Sequence, residues 1–241
     1  MRVAIYLMRV AAMIDRVRGL RCRPRWRPAR AAIVGASLLV ATWASLSRPA
    51  AQGIPTLEPL DASGRVTYFI AEGEPGSGFR PADRQLAVWA LEAWGRASGG
   101  RLRFEPSPEP QALVQVHWVG AAGGQYGEMR SIRVNGRRGA AVYIRPDTDG
   151  LGPEIGQRAR QDPLWRDTIV YLTCVHELGH AVGLGHTSDF GDIMYSFQYG
   201  GDITAYFARY RVALQTRGDI ARTSALSESD LARVRQLYPI R

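Results

Sequence analysis

An α+β domain is what the residues after position 64 predict, and three observations carry that expectation. The β-branched and aromatic runs Arg65–Ile70 and Leu113–Val119 read as strands. Helical spacing of apolar residues recurs across 82–97 and again across 162–182. Asn135-Gly136 sits between two further strand-like runs, a strong short-range hairpin signal. The chain of 241 residues is 46% hydrophobic and 22% charged, enough for one substantial core, and shows neither an internal repeat nor a second domain.

Charge divides the chain before any element does. The formal net charge is +9, a balance that ordinarily points to nucleic acid or membrane. Residues 1–51 hold ten arginines and a single acid, Asp15, leaving 21 arginines against 21 acids in the remainder. The basicity therefore belongs to the N-terminus, and no nucleic-acid partner is expected. An arginine-rich run ending at Arg30 precedes the apolar stretch Ala31–Ser47, the order of a secretory signal. That stretch is slightly short for a bilayer span of about 17–25 residues. Small residues at Thr42-Trp43-Ala44 and Ser45-Leu46-Ser47 offer cleavage sites without a clean Ala-x-Ala. A removed signal and a retained signal anchor both fit, and both export the domain beyond it. Residues 1–51 are thus assigned to targeting, 52–64 to a linker and 65–241 to the folded domain.

The elements come in order. Pro81 is placed to open a helix that carries Leu86, Trp89, Ala90, Ala93 and Ala97, and Gly99-Gly100 ends it. Trp89 and Trp94 read as core packing. Leu102–Phe104 and Leu113–Val119 are strands, the second with Val114, Val116 and Trp118 on one face and Gln115 and His117 on the other. Residues 120–127 read as a loop, Met129–Val134 and Ala140–Ile144 as a hairpin, and Pro146–Gly150 as a turn. Asp147 and Asp149 in that turn do not assemble the six or more oxygen ligands calcium takes. The next helix starts at Asp162-Pro163 or at Asp167, with Leu164, Thr168, Leu172, Val175, Gly179 and Val182 as its apolar stripe. Ile203, Tyr206, Phe207, Tyr210 and Leu214 mark an amphipathic helix. A last helix opens with Ser227 as N-cap and Asp230 in its first turn.

Chemistry concentrates at His176–His186, reading HELGHAVGLGH, which holds three of the four histidines. His176 and His180, four residues apart, project from one helical face and can reach one ion at about 2.0–2.1 Å. Gly183 lets the helix stop and the chain turn back, which brings His186 to a third corner. Glu177 can lie beside the metal rather than on it. Three protein ligands with one open position is the pattern of a catalytic zinc site. Cys174 lies about 200° around the helix from His176 and reads as a small core residue. His117, alone on its strand, has no ligand cluster.

HELGHAVGLGH followed by SDFGDIMY resembles the metzincin metalloproteases, and within them the matrixin-like branch. Ile193-Met194-Tyr195 occupies the place of the family's methionine turn, and the resemblance covers most of residues 64–241. It implies a twisted, mostly parallel five-stranded sheet with two long helices, and a small C-terminal subdomain with the methionine turn and the last helix. It further implies that His176, His180 and His186 bind one catalytic zinc, that Glu177 is general base and acid in peptide hydrolysis, and that Met194 supports the site hydrophobically. A monomer acting on peptide or protein substrates is expected, with membrane contact only through the N-terminal segment. An alternative is a binding module that keeps the fold without turnover; loss of Glu177 or of a histidine would mark it, and all four are present.

Several positions depart from the matrixin pattern. Residues 120–165 contain no histidine, so no second zinc is expected, and no PRCGxPD-type inhibitory segment comes after Ser47. Ser229 stands where the family has the first of two acids, and Ser196 where it has proline. The stretch from Gln198 to Ala225 is longer than usual. Ser196 also occupies the place of the tyrosine that astacin-like members put two residues after the methionine, so no tyrosine ligand is expected.

Overall fold

Strand β1 (Arg65–Ile70) lies between β2 (Arg103–Pro106) and β3 (Val114–Trp118), parallel to both. The computed structural model describes residues 57–60, 64–121 and 126–239 of the chain. β5 (Arg137–Ile144) continues the sheet parallel to β3, and β4 (Gly127–Val134) closes one edge antiparallel to β5, giving the order β2-β1-β3-β5-β4. The fold is the α+β arrangement the sequence predicts, with a mostly parallel five-stranded sheet.

Alternation places the sheet's apolar face as expected. Val114, Val116 and Trp118 are buried, while Gln115 and His117 are half-buried on the opposite side. His117 stacks on Tyr143 with ring centroids 5.2 Å apart. The hairpin turn is Asn135 and Gly136, at φ of 50° and 78°, the two left-handed residues a two-residue turn between twisted strands requires. Both hairpin strands run to eight residues, longer than the apolar runs alone indicated, because backbone pairing extends through Arg137 and Arg138 at one end and Gly127 and Glu128 at the other.

Helix α1 (Asp83–Ala97) starts two residues after Pro81, and Asp83, buried in its first turn, accepts the Arg80 N–H at 2.8 Å. Its carboxylate takes two hydrogen bonds from Arg166, at 2.7 and 2.8 Å, both side chains almost fully buried. Helix α2 (Pro153–Gln161) is an element the sequence did not announce: only Ile155, Gly156 and Ala159 are buried, too few to set a periodic signal. Helix α3 (Pro163–Ala181) is capped by Asp162, which accepts from the Trp165 N–H at 3.1 Å. Every residue from Thr168 to Ala181 is buried, so α3 is apolar-packed all round and not along one stripe. The reason is its position, with β4 and β5 on one side and α1, α2 and α4 (Ile203–Arg211) around the others. Trp94 of α1 fixes the pairing by donating its indole N–H to the Val175 carbonyl at 2.9 Å.

Helix α4 ends at Arg211, so Leu214 is buried beyond the helix. Helix α5 (Glu228–Leu237) carries the full reciprocal cap: Ser227 accepts from the Asp230 N–H, and Asp230 from the Ser227 N–H, each at 3.0 Å. Within the stretch expected as linker, Leu60 is 4% exposed and Leu57 donates its N–H to the Gly183 carbonyl at 2.8 Å. Residues 1–51, which the sequence assigns to targeting, lie outside the described residues. Among the described residues no helix is long and apolar enough to cross a membrane. Asp147 and Asp149 each bond an arginine, Arg145 and Arg160 respectively.

Candidate metal centre

Two devices bring three imidazoles together. Helix α3 carries His176 and His180 four residues apart, and their rings meet edge to face at 4.8 Å between centroids. The helix then stops at Val182, and Gly183 takes φ 108°, a left-handed conformation that a Cβ would strain. The chain reverses and His186 arrives opposite. A short parallel bridge between Thr187 and Tyr195, with the Thr187 N–H on the Met194 carbonyl at 2.8 Å, ties this return to the methionine turn.

The three Nε2 atoms form an equilateral triangle with edges of 3.2 Å. His176 donates its Nδ1–H to the Ile193 carbonyl and His180 its Nδ1–H to the Leu184 carbonyl, each at 2.7 Å. A carbonyl can only accept, so both rings carry their proton on Nδ1 and turn an Nε2 lone pair inward. Burial, followed by the neighbouring His186, lowers the pKa of His176 to about 3; burial and Arg233 lower that of His186 to about 4. His180 is held well below its usual value, by burial first and then its two neighbours. All three rings are therefore neutral at pH 7, and His176 and His180 turn lone pairs into a buried space beside the His186 Nε2, an arrangement suited to holding a cation. Three imidazoles at tetrahedral positions about 2.0–2.1 Å from zinc would stand about 3.3 Å apart, so the triangle fits that ion.

Glu177 is fully buried beside His176, and neither of its carboxylate oxygens has a hydrogen-bond partner among the described residues. Burial, with the Glu128 carboxylate adding to it, pushes its pKa up to about 8. A cation in the triad acts in the opposite sense and favours the ionised form. Gly127, at the start of β4, lies directly against this carboxylate: a Cβ there would stand 2.6 Å from Glu177 Cγ. Nothing in the sequence marks Gly127, since it reads as the end of a glycine-rich loop.

Met194 is completely buried and packs against Gly179, on α3 between the two helical histidines. The turn that carries it is gripped from two helices. Asp230 of α5 accepts the Ile193 N–H at 2.8 Å. Tyr206 of α4 donates its hydroxyl to the Ile193 carbonyl at 3.0 Å, and Arg209 donates to the Phe190 and Asp192 carbonyls. Ser229, at the position of a missing acid, instead donates to Asp192, which also accepts from Ser227. Tyr206 was legible on the apolar face of its helix and Asp230 as an acid in the first turn of the last helix, but their grip on this turn was not. Cys174 is buried and free, its thiol pushed up by burial, away from the triad.

An apolar recess adjoins His176, walled by Leu172, Thr173, Tyr195, Phe197, Tyr206 and Phe207. A larger recess of about 160 Å³ near Arg80, Asp147, Asp149 and Arg166 includes none of the triad.

A mostly parallel five-stranded sheet, an HExxHxxGxxH segment whose histidines converge, and a methionine turn packed against them define the metzincin class. Within it the chain belongs to the matrixin family of peptidases, which matches residues 62–205. It is 42% identical over 142 residues to an interstitial collagenase of Sus scrofa, an alignment covering 57% of this chain and 28% of that protein. To a macrophage metalloelastase of Oryctolagus cuniculus it is 30% identical over 137 residues, covering 54% and 27%. The chain thus spans little more than a quarter of the length of these relatives. A crystal structure of myroilysin covers 74% of this chain and 85% of its own at 15% identity, with a TM-score of 0.38.

Proposed function

We propose that the domain is a zinc-dependent endopeptidase, with His176, His180 and His186 as ligands and Glu177 as general base and acid. The 3.2 Å triangle of inward-facing Nε2 atoms is the observation that carries this reading. When bound, a zinc ion supplies Lewis acidity that lowers the pKa of a coordinated water towards about 7 and polarises a carbonyl. The chain's own residues do the rest. Glu177, without a hydrogen-bond partner among the described residues, accepts a proton from the attacking water and passes it to the departing amine. Its enclosure by α3 and Gly127 keeps the carboxylate from turning to bulk solvent. Met194 and Gly183 support the ligands: one fills the space against α3, the other turns the chain so that His186 can arrive. The recess beside His176 is walled mainly by apolar side chains and encloses about 20 Å³, room for no more than a small group.

Export of this domain rests on the arginine-rich run before Ala31–Ser47, and N-terminal sequencing of the secreted protein tests it. Peptide cleavage by wild type and by Glu177→Ala, each loaded with zinc, tests the chemistry. We expect the variant to keep its metal and lose about 10²–10⁴-fold in rate. Equal turnover by both proteins would remove Glu177 from the mechanism, and a zinc-loaded wild type inert towards a broad peptide library would favour a binding module.

A further inference from the structure

The two helical ligands are oriented in different ways. His180 donates to Leu184, four residues on and within its own turn. His176 donates to Ile193, a carbonyl 17 residues away in another loop, so its ring plane is only as fixed as that loop. The Ile193 peptide is held on both sides. Its N–H goes to Asp230, and its oxygen accepts not only from His176 but also from the Tyr206 hydroxyl at 3.0 Å. That hydroxyl also stands 3.3 Å from the Asp192 oxygen, so it bridges two successive carbonyls of the turn.

Tyr206 is itself immobilised. It is 4% exposed, its ring meets Phe190, Phe197 and Phe207 edge to face, and Arg209 lies over it at 4.1 Å. Arg209 in turn donates to the Phe190 and Asp192 carbonyls. One short helix, α4, thus places an aromatic hydroxyl and a guanidinium on the backbone that orients a ligand.

From this we infer that Tyr206 is a positioning residue for the metal centre: its hydroxyl holds the Ile193 carbonyl in the place where it accepts from His176, and so fixes that ligand's tautomer and ring plane. The inference rests on the zinc reading of the triad. Groups that orient a ligating histidine are worth about 10–100-fold in metal affinity. Helix α4 belongs to the long stretch after the methionine turn, which gives that stretch a task at the centre as well as at the recess.

Tyr206→Phe isolates the hydroxyl. The ring remains in its aromatic cage, and the Ile193 oxygen keeps its bond from His176, so no buried group is orphaned. Zinc affinity at pH 7, measured by competition with a chromophoric chelator on wild type and variant, is expected to fall about 10–100-fold. The unfolding midpoint of the metal-free variant should stay close to that of wild type, and the visible spectrum of the cobalt-substituted protein should change, a response that lost packing alone would not give. Unchanged zinc affinity and an unchanged cobalt spectrum would overturn the inference while leaving the zinc site intact. A variant that fails to fold would overturn it too, by assigning the hydroxyl to the fold. A wild type that binds no zinc would remove both the inference and the reading beneath it.

Discussion

Gly179 and Met194 fit together only because Gly179 has no side chain: a Cβ there would overlap Met194 Sδ and stand 2.9 Å from Trp94 Cζ2. The methionine turn can approach α3 between His176 and His180 for that reason. Replacing Gly179 by Ala gains up to about 1 kcal/mol of helix propensity. It also forces an extra methyl into a filled core, which costs about 1–3 kcal/mol or more. The expected outcome is a lower urea midpoint for the metal-free Gly179→Ala protein. A midpoint equal to or above wild type would show that Met194 yields freely.

The Asp83–Arg166 pair joins the start of α1 to the first turn of α3 in the interior, with Arg166 also bonded to the Gly78 carbonyl at 2.9 Å. Removing the carboxylate leaves the buried guanidinium with only the Gly78 carbonyl and the Asp167 carboxylate at 3.5 Å, and breaking a buried pair in this way costs up to about 3–5 kcal/mol. Asp83→Ala should therefore unfold at markedly lower urea than wild type. A loss below about 1 kcal/mol would mean that water reaches Arg166 readily.

Asp162 gives the acid limb of stability a definite sign. Burial alone would raise its pKa, but the Arg211 guanidinium and the Trp165 N–H outweigh this and hold it below its usual value. A carboxyl depressed by folding contributes stability that is present above the unfolded value near 3.9 and is lost as pH falls through the folded value. Asp162→Asn can still cap α3 but cannot pair with Arg211. Melting temperatures taken from pH 6 to pH 2 should differ between the proteins above pH 4 and converge below it. A difference independent of pH would exclude the ion pair as its source.

Local chemistry was readable in the sequence, and contact between distant residues was not. The histidine spacing, the Asn135-Gly136 turn and the Asp162 and Ser227 caps each depend on a few neighbouring residues, while the place of Met194 came from the family resemblance. The mostly parallel character of the sheet came from the family resemblance, and the elements themselves from periodicity. Helix α2 escaped because its polar sequence buries three residues only. The burial of α3 on every side escaped because it depends on what surrounds the helix. Gly127 against Glu177, Asp83 with Arg166, and Tyr206 on Ile193 are pairings across 50, 83 and 13 residues. No local pattern encodes them.

Gly127 offers a test of Glu177 that leaves the carboxylate in place. An Ala at 127 would collide with the Glu177 stem, its Cβ standing 2.6 Å from Cγ and 2.7 Å from Cδ. The carboxylate must then shift, and displacement of a reacting group by about 1 Å costs on the order of 10²-fold in rate. Gly127→Ala should lose kcat while binding zinc as wild type does. A rate within about twofold of wild type would show that the Glu177 position tolerates displacement.

Metal content tests the central claim most directly. Wild type and His186→Ala, incubated with excess zinc and freed of unbound ion, should separate cleanly by elemental analysis. The triad predicts about one zinc per chain for wild type and a substoichiometric, readily chelated amount for the variant, because His186 would supply one of the three proposed ligands. Equal zinc content and equal chelator resistance in the two proteins would contradict it and place the ion elsewhere in the chain.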